Sequence, residues 1–391
     1  MSIRQRKWES AGKAKSAWVA DYFDQGGKRH LKTFRTKKEA DAWLVDTRKQ
    51  VKDGIHTAAS DSVTVTVAGE NWIAQGVADG LEPSTLRQYR QHLNFHISPL
   101  IGTVKLADLT PAMVRGFRDR LLQGEAASKE RSRAMAKKVV GSLGAILATA
   151  LESGQVGRNV VRDQQRQNRR QNRLDKRHAK HLEVGVDIPT KEDILAMLTH
   201  ARGRWRPLVE AAIFTGLRAS ELRGLRWDDV DLERGRLTVR QRADRWSSIG
   251  SPKSDAGKRE VPLGSRLISV LKEWRLACPK GKQNLVFPNT KGNVESLPNM
   301  HRRGLGALQV AAGIVKPANE REKSVTPKYG LHALRHACAS LWIEEGFTPK
   351  RIQAMMGHSS IQVTFDTYGH LFPSYDSDRV AMERLAARLV G

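Results

Sequence analysis

The sequence is poor in cysteine and lacks several motifs that mark large classes of protein. Its two cysteines, Cys278 and Cys338, are too few for a disulfide framework, and no Cys/His cluster has the spacing of zinc ligands. There is no Walker-type Gly-x-x-x-x-Gly-Lys motif and no acidic cluster suited to a catalytic metal. The sequence therefore argues against a disulfide-rich secreted domain, a zinc module and a P-loop nucleotide hydrolase.

Long hydrophobic runs are also missing. The basic start of the chain continues into polar residues, where a secretory signal would have an apolar region. The longest apolar-leaning stretch, Val139 to Leu151, is too short to span a bilayer and carries Gly and Ser. We therefore expect a soluble protein of a reducing cytoplasm, without a membrane partner.

Positive charge is what the sequence has in excess. The 391 residues include 67 Lys and Arg against 41 Asp and Glu, which gives a formal net charge of +26 and a pI near 10.4. Hydrophobic residues make up 39% of the chain, with nine Trp and nine Phe, so this charge belongs to a folded protein rather than to a disordered tail. Charge of this size favours a polyanionic partner.

Composition and hydrophobic periodicity predict a multidomain protein that is mainly α with small β elements. We expect an N-terminal three-stranded sheet plus helix, a helical bundle, a basic linker and an α/β domain, over residues 1–60, 61–157, 158–184 and 185–391. Capping-box spacing over 36–39 predicts the helix that follows the first sheet, and Thr190 with Asp193 predicts the first helix of the last domain. The strands of that domain are predicted over 236–240 and 259–263.

The last segment contains short motifs whose residue types suit one reaction. Two pairs have a spacing of three, which places both members on one face if the segment is helical. A glycine at the end of a helix lets the chain turn sharply and present the next side chain. In chain order the candidates are Arg218-x-x-Glu221, Lys253, His332-x-x-Arg335, Gly357-His358 and Tyr368.

This ordered set resembles the tyrosine recombinase family, specifically the integrases of phages and mobile genomic islands. The family has an Arg-x-x-Glu box, a Lys in a β-hairpin, a His-x-x-Arg box, a Gly-His pair and a terminal Tyr, in the order found here. The resemblance also covers the layout of nearly the whole chain. It implies an arm-type DNA-binding domain over 1–60, a helical core-binding domain over 61–157 and a catalytic tyrosine recombinase domain over 185–391, with 158–184 as the linker.

The chemistry of phosphodiester cleavage suits these residue types. Attack by a side chain builds negative charge on the non-bridging oxygens, which Arg218 and Arg335 can bind bidentately while staying charged. His332 and His358 can donate to the same oxygens or handle the proton of the nucleophile. Tyr368 is the predicted nucleophile, and since a phenol has a pKa of roughly 10, the surrounding positive charge must help to form the phenolate.

Two further residues have predicted supporting roles. Lys253, in the loop between two predicted strands, is the expected general acid for the leaving 5′ oxygen, and Lys258 is its nearest rival. Glu221 is expected to orient its neighbours by hydrogen bonding rather than to exchange protons. By resemblance, the bond energy is kept in a 3′-phosphotyrosine that a free 5′-hydroxyl then attacks, and the reaction needs no metal, ATP or other cofactor.

Several residues near the motifs have plainer interpretations. Tyr375 is the rival nucleophile, but it follows a Phe-Pro turn and lacks the Thr-x-x-x-Tyr-x-His context of Tyr368. We interpret His336 and His370 as bystanders and Cys338 as a core residue.

The resulting hypothesis is a site-specific DNA recombinase that integrates and excises a mobile element at double-stranded attachment sites. The alternatives are a type IB topoisomerase-like enzyme, disfavoured by the separate arm-binding module, and an inactive DNA-binding protein, disfavoured by the complete set of motifs. The expected assembly is a monomer when free and a homotetramer on synapsed DNA, with the tail 378–391 docked on a neighbouring protomer. A host DNA-bending protein and an excision factor are candidate partners, and the location is the bacterial cytoplasm, on the nucleoid when DNA is bound.

Overall fold

The structure of the chain is a computed structural model. Its residues group into two compact units, Met1–Ala179 and Lys180–Gly391. Most of the described residues are helical and the sheets are small, which confirms the mainly α prediction. The structure describes residues 1–10, 13–54, 56–58, 62–124, 130–167, 182–252, 254–316, 325–372 and 375–390.

The first unit begins with an antiparallel sheet in the order β1-β2-β3, and a helix packs against it. The side chain of Thr36 accepts a hydrogen bond from the backbone of Glu39, and the Glu39 carboxylate accepts one from the backbone of Thr36, which forms the predicted capping box. A small core of Ala20, Tyr22 and Leu44 lies between the sheet and the helix. The predicted three-stranded sheet plus helix is confirmed, with β1 (Ser2–Ser10), β2 (Lys13–Phe23), β3 (Arg29–Phe34) and α1 (Lys37–Lys52).

A helical bundle completes the first unit. Thr110 caps the helix that begins at Pro111. The helices are α2 (Val65–Ala78), α3 (Pro83–His92), α4 (Ser98–Ile101), α5 (Pro111–Gln123), α6 (Arg133–Glu152) and α7 (Val160–Gln167), with a π-helical segment, Leu93–Ile97, between α3 and α4. Within the described ranges α6 alone has the length and composition of a membrane span, and its apolar face is buried in the core of this bundle.

The second unit packs its helices around one large hydrophobic core. The capping box of Thr190 and Asp193 opens its first helix, as predicted. The helices are α8 (Lys191–His200), α9 (Trp205–Thr215), α10 (Ala219–Gly224), α11 (Ser265–Ala277), α12 (Leu297–Asn299), α13 (Ala307–Ala311), α14 (Leu331–Glu344), α15 (Pro349–Met356), α16 (Ile361–Tyr368) and α17 (Tyr375–Val390).

Two small antiparallel sheets belong to this unit, of which the first packs on the large core and the second on a small cluster of its own. The first has the order β4-β5-β8, and the second is the hairpin β6-β7. The two predicted strands are therefore present, each ending one residue earlier than predicted. The strands are β4 (Val230–Asp231), β5 (Arg236–Val239), β6 (Arg242–Ala243), β7 (Ile249–Gly250) and β8 (Arg259–Pro262).

Candidate active site

Two helices of the second unit end at glycines with left-handed backbone. Gly216 follows α9 with a φ of 59°, and Gly357 follows α15 with a φ of 63°. A Cβ on Gly216 would lie 2.8 Å from the Cε of Met356, and a Cβ on Gly357 would lie 2.8 Å from the carbonyl oxygen of Ala256. Both positions therefore need glycine. They bring the carboxyl ends of two helices, which carry the negative ends of the helix dipoles, to one place.

Arg335 is held between these two helix ends. It is buried on α14, its Nη1 donates to the carbonyl of Gly216, and its Nη2 donates to the carbonyl of Met356, each over 2.5 Å. Burial, together with the charge of Arg218, lowers the pKa of Arg335 to about 10, so the guanidinium is still charged at neutral pH. The fold thus fixes a permanent cation at the centre of the site.

Arg218 and Glu221 stand at the start of α10. The Glu221 carboxylate accepts a hydrogen bond from the Arg218 backbone N–H over 2.9 Å and one from Arg218 Nη1 over 2.8 Å. The prediction that both residues share a helix face is wrong for Arg218, because it is the N-cap residue with extended backbone and precedes the first turn. Its Nη2 donates to the carbonyl of Gly357 over 2.9 Å, and 37% of its side chain is exposed.

A further arginine, Arg259, completes this cluster. Its Nη2 lies 2.8 Å from Glu221 Oε2, and its Nε donates to the carbonyl of Met355 over 2.6 Å. Burial by itself raises the pKa of Glu221, but the hydrogen bonds and charge of Arg259, together with Arg218, outweigh it and lower this pKa to about 2. The sequence reasoning missed Arg259. Its signal was an arginine that alternates with Val261 on the buried face of β8, where a charge needs a partner.

Tyr368 is the last residue of α16 and is only 1% exposed. Its hydroxyl lies 2.8 Å from Nδ1 of His336, and its ring is nearly parallel to that of His358, with 6.2 Å between the centroids. Burial raises the pKa of Tyr368 to about 12, although the charges of Arg335 and Arg218 act to lower it. The expected help from positive charge is therefore present, but burial is the larger effect and the phenol is neutral at pH 7.

Two histidines, His336 and His358, lie beside this phenol, and a third, His332, lies next to His336. His332 and His336 are one helical turn apart on α14, with their rings edge to face at 4.6 Å, and Nδ1 of His358 lies 2.9 Å from the hydroxyl of Thr364. Burial and nearby charges lower the pKa of His336 and of His358 to about 4, and the pKa of His332 is also lowered. All three imidazoles are therefore neutral at pH 7 and able to accept a proton.

Most of the side chains singled out in the sequence meet at this place. Lys253 lies outside the described residues, as does the side chain of Tyr375. His370 is exposed beside the site, and its Nε2 is 2.7 Å from the carbonyl oxygen of Leu182. The predicted residues that the structure brings together are Arg218, Glu221, His332, Arg335, His358 and Tyr368.

The interpretation of His336 as a bystander does not fit its contact with the Tyr368 hydroxyl. A signal was available in the sequence, because a spacing of four places His336 on the same face of the helix as His332. Cys338 is buried, as predicted. Within the described ranges, no group of three or more His, Cys, Asp or Glu side chains is arranged to hold a metal ion.

Comparison with known proteins places this arrangement in one family. The phage integrase family matches residues 189–374, and the N-terminal SAM-like domain of phage integrases matches residues 70–122. Two relatives, each 26% identical, extend over nearly the whole length. A XerC-like tyrosine recombinase of Caldanaerobacter subterraneus subsp. tengcongensis matches over 91% of this chain and 92% of its own, and a putative prophage phiRv2 integrase of Mycobacterium tuberculosis over 93% and 92%.

Solved structures share the fold. The Tn1549 transposon integrase in complex with transposon right end DNA matches with a TM-score of 0.65 at 21% identity, over 83% of this chain and all of that one. A lambda integrase dimer bound to a core site matches with a TM-score of 0.54 at 19% identity, over 89% of this chain and 91% of that one. The matched families, the full-length relatives and the shared fold agree: the chain belongs to the tyrosine recombinases of the phage integrase family, enzymes that cleave and rejoin DNA at specific sites.

Proposed function

We propose that this integrase cleaves attachment-site DNA with Tyr368, holds the strand as a 3′-phosphotyrosine and passes it to a second duplex, which integrates or excises a mobile element. The observation that carries the proposal is the position of the Tyr368 hydroxyl, buried against the neutral imidazoles of His336 and His358 and close to the charges of Arg335 and Arg218. A nucleophile, proton acceptors and fixed cations are the parts that this transesterification requires.

The two arginines are suited to bind the phosphate that is attacked. Each guanidinium has five N–H donors, and the carbonyls of Gly216, Met356 and Gly357 together with Glu221 orient them. The donors outside these bonds are the ones we propose to bind the non-bridging oxygens, whose negative charge grows as the phenolic oxygen bonds to phosphorus. Because the donors are already fixed, little reorganisation is needed at the moment of reaction.

Lys253 is the proposed acid that protonates the leaving 5′ oxygen. The hairpin β6-β7, which ends three residues before it, is held by the buried guanidinium of Arg223. Nε of Arg223 donates to the carbonyl of Glu295 over 2.6 Å, Nη1 to the carbonyl of Asp244 over 2.7 Å and Nη2 to the hydroxyl of Ser247 over 3.1 Å. This anchoring supports a fixed base for the loop that carries Lys253.

The domain assignments and the assembly are part of the same proposal. Three segments supply phosphate contacts on double-stranded DNA: the arm-type domain over 1–60, the core-binding domain over 61–157 and the basic linker over 158–184. Linker residues 168–181 lie outside the described part of the chain. A host DNA-bending protein and an excision factor complete the proposed complex, in the bacterial cytoplasm.

Assembly as a homotetramer on synapsed sites is supported by the tail helix α17. Its apolar residues Met382, Leu385 and Leu389 are exposed, so they are available to a neighbouring protomer. A lambda integrase of similar fold has been solved as a tetramer bound to a Holliday junction. The free chain is proposed to be a monomer.

The test is a strand-transfer assay. The chain is incubated with a nicked suicide substrate that carries its attachment site and with a second, unlabelled duplex. The proposal requires a covalent protein–DNA adduct and labelled strands joined to the second duplex, and both must be absent with Tyr368→Phe. Relaxation of supercoiled DNA without strand transfer would indicate the topoisomerase alternative, and the absence of any adduct would indicate an inactive DNA-binding protein.

A further inference from the structure

We propose that His336 is the general base that takes the proton of Tyr368 when the phenol attacks DNA. The proposal rests on the proposed function and adds a catalytic residue outside the family's His-x-x-Arg and Gly-His pairs. The contact of the Tyr368 hydroxyl with His336 carries it.

The Tyr368 hydroxyl and the His336 imidazole are at hydrogen-bond distance. Nδ1 of His336 lies 2.8 Å from the Tyr368 hydroxyl, and the two rings are inclined by 63°. At this distance a neutral phenol can donate to an unprotonated Nδ1, and the proposal assigns the ring proton of His336 to Nε2, so that Nδ1 accepts. The helix that carries His336 is fixed on both sides of it, because Arg335 is clamped by two carbonyls and Ala337 is buried in the core.

The other two histidines are less well placed to take this proton. Nδ1 of His358 is engaged with the Thr364 hydroxyl, and its ring lies nearly parallel to that of Tyr368. His332 contacts the ring of His336 rather than the phenol. In the part of the chain that the structure describes, His336 is the histidine at hydrogen-bond distance from the hydroxyl, which leaves His332 and His358 to donate to the phosphate oxygens.

The charges around His336 come from several elements. On its own helix, His332 and Arg335 disfavour its protonated form, and burial acts in the same direction, so that the pKa of His336 is lowered to about 4. From the loop before α8, Asp187 acts in the opposite sense. His336 also faces Tyr368, which belongs to α16, and the ring of His358, which lies in the turn after α15. A bound phosphodiester brings a further negative charge to the same site, which favours the imidazolium at the moment of attack.

The proton and bond balance is complete without any other reactant. The Tyr368 Oη–H proton passes to Nδ1 of His336, Oη bonds to phosphorus, and the bond from phosphorus to the 5′ oxygen breaks. The leaving oxygen takes a proton from the general acid, for which Lys253 is proposed. In the joining step a 5′-hydroxyl gives its proton back to that acid and attacks phosphorus, and the departing phenolate recovers its proton from His336.

The test compares His336→Asn and His336→Ala in the full-length chain, by single-turnover formation of the adduct on the suicide substrate between pH 6 and pH 9. An asparagine amide oxygen takes the place of Nδ1 and still accepts the hydrogen bond, but it cannot carry the proton. We expect His336→Asn to bind the site as the wild type does and to form the adduct slower by about 10²-fold or more at pH 7. The rate difference between the wild type and His336→Asn should shrink by about tenfold per pH unit. Without a base, the rate of the variant follows the fraction of Tyr368 that is phenolate, which rises tenfold per pH unit below its pKa.

Imidazole gives a second readout that a structural role would not produce. Added imidazole should restore adduct formation by His336→Ala, because it can enter the space left by the ring, and should leave His336→Asn unchanged. The matched control is His200→Asn at the exposed end of α8, which should behave as the wild type.

Three results would overturn the proposal. The first is a wild-type rate in His336→Asn. The second is an equal deficit at every pH with no rescue by imidazole, which would show that His336 only positions Tyr368. The third is faster adduct formation in both variants, which would mean that the hydrogen bond restrains the nucleophile. An adduct that persists in Tyr368→Phe would instead overturn the proposed nucleophile, and the assignment of His336 with it.

Discussion

Replacing Glu221 by glutamine tests how the arginine cluster is held together. In the native chain its buried carboxylate binds Arg218 over 2.8 Å and Arg259 over 2.8 Å. The amide of Glu221→Gln is nearly isosteric but carries no charge, so Arg259 stays buried without its anion. Removing one partner of a buried pair is costly because the other charge remains out of water.

The size of the effect follows from the pKa of Glu221. A fall from its ordinary 4.5 to about 2 corresponds to about 3 kcal/mol of stability at neutral pH, at about 1.4 kcal/mol for each pKa unit. The loss of one member of a buried pair gives a similar figure, about 3–5 kcal/mol. Because the pKa is lowered in the folded state, this contribution is fully present above pH 4.5 and is lost as the pH falls toward 2.

The assay is equilibrium urea unfolding of the full chain at pH 7 and at pH 3, with hydrogen exchange of α10 and β8 to assign the transition. We expect Glu221→Gln to lower the free energy of unfolding by about 3 kcal/mol at pH 7 and by less at pH 3. The control is Glu233→Gln. Glu233 pairs with Lys272 on the surface and its side chain is 87% exposed, so this change should lower the free energy of unfolding by less than about 1 kcal/mol. If the two variants lose equal stability, the carboxylate does not hold the cluster.

Four further predictions concern the reaction and its assembly. Arg218→Ala should slow adduct formation by about 10²-fold or more with little change in DNA affinity, and an equal loss of affinity without a separate loss of rate would make Arg218 a binding residue only. Lys253→Ala should be rescued by a substrate with sulfur in place of the 5′ oxygen, because a thiolate leaves without a proton, and an unrescued variant would remove Lys253 as the acid. Deleting 378–391 should abolish recombination and cooperative assembly on paired sites but leave single-site binding, so recombination by the truncated chain would contradict docking in trans. Neutralising four linker arginines, Arg166, Arg169, Arg170 and Arg173, should weaken DNA binding without changing sequence preference. The slope of log affinity against log salt concentration should fall by about 0.9 for each lost phosphate contact, and an unchanged slope would mean that the linker is only solvated.

Local signals in the sequence were sufficient to predict much of the fold. The capping boxes at Thr36 and Thr190 and the glycine stop at Gly357 depend on residues within a few positions of one another, and each has the predicted form. The strands over 236–239 and 259–262 follow from local patterning in the same way.

Contacts between distant segments could not be predicted in this way. The clamp on Arg335 consists of the backbone carbonyls of Gly216 and Met356. The fold brings these carbonyls together, and no side-chain motif in the sequence predicts their position. Arg259 was assigned only to a strand, because its anion, Glu221, lies far from it in sequence. The high pKa of Tyr368 depends on burial, which a motif does not specify.

The central claim is that Tyr368 becomes covalently joined to DNA. The most direct measurement is mass spectrometry of the adduct trapped on a suicide substrate, after digestion with trypsin and nuclease. Cleavage after Arg351 and Arg379 releases a peptide that contains both Tyr368 and Tyr375, so fragmentation must locate the modification. The account predicts a nucleotide joined through its 3′-phosphate to Tyr368, whereas attachment to Tyr375, to another residue or through a 5′-phosphate would contradict it.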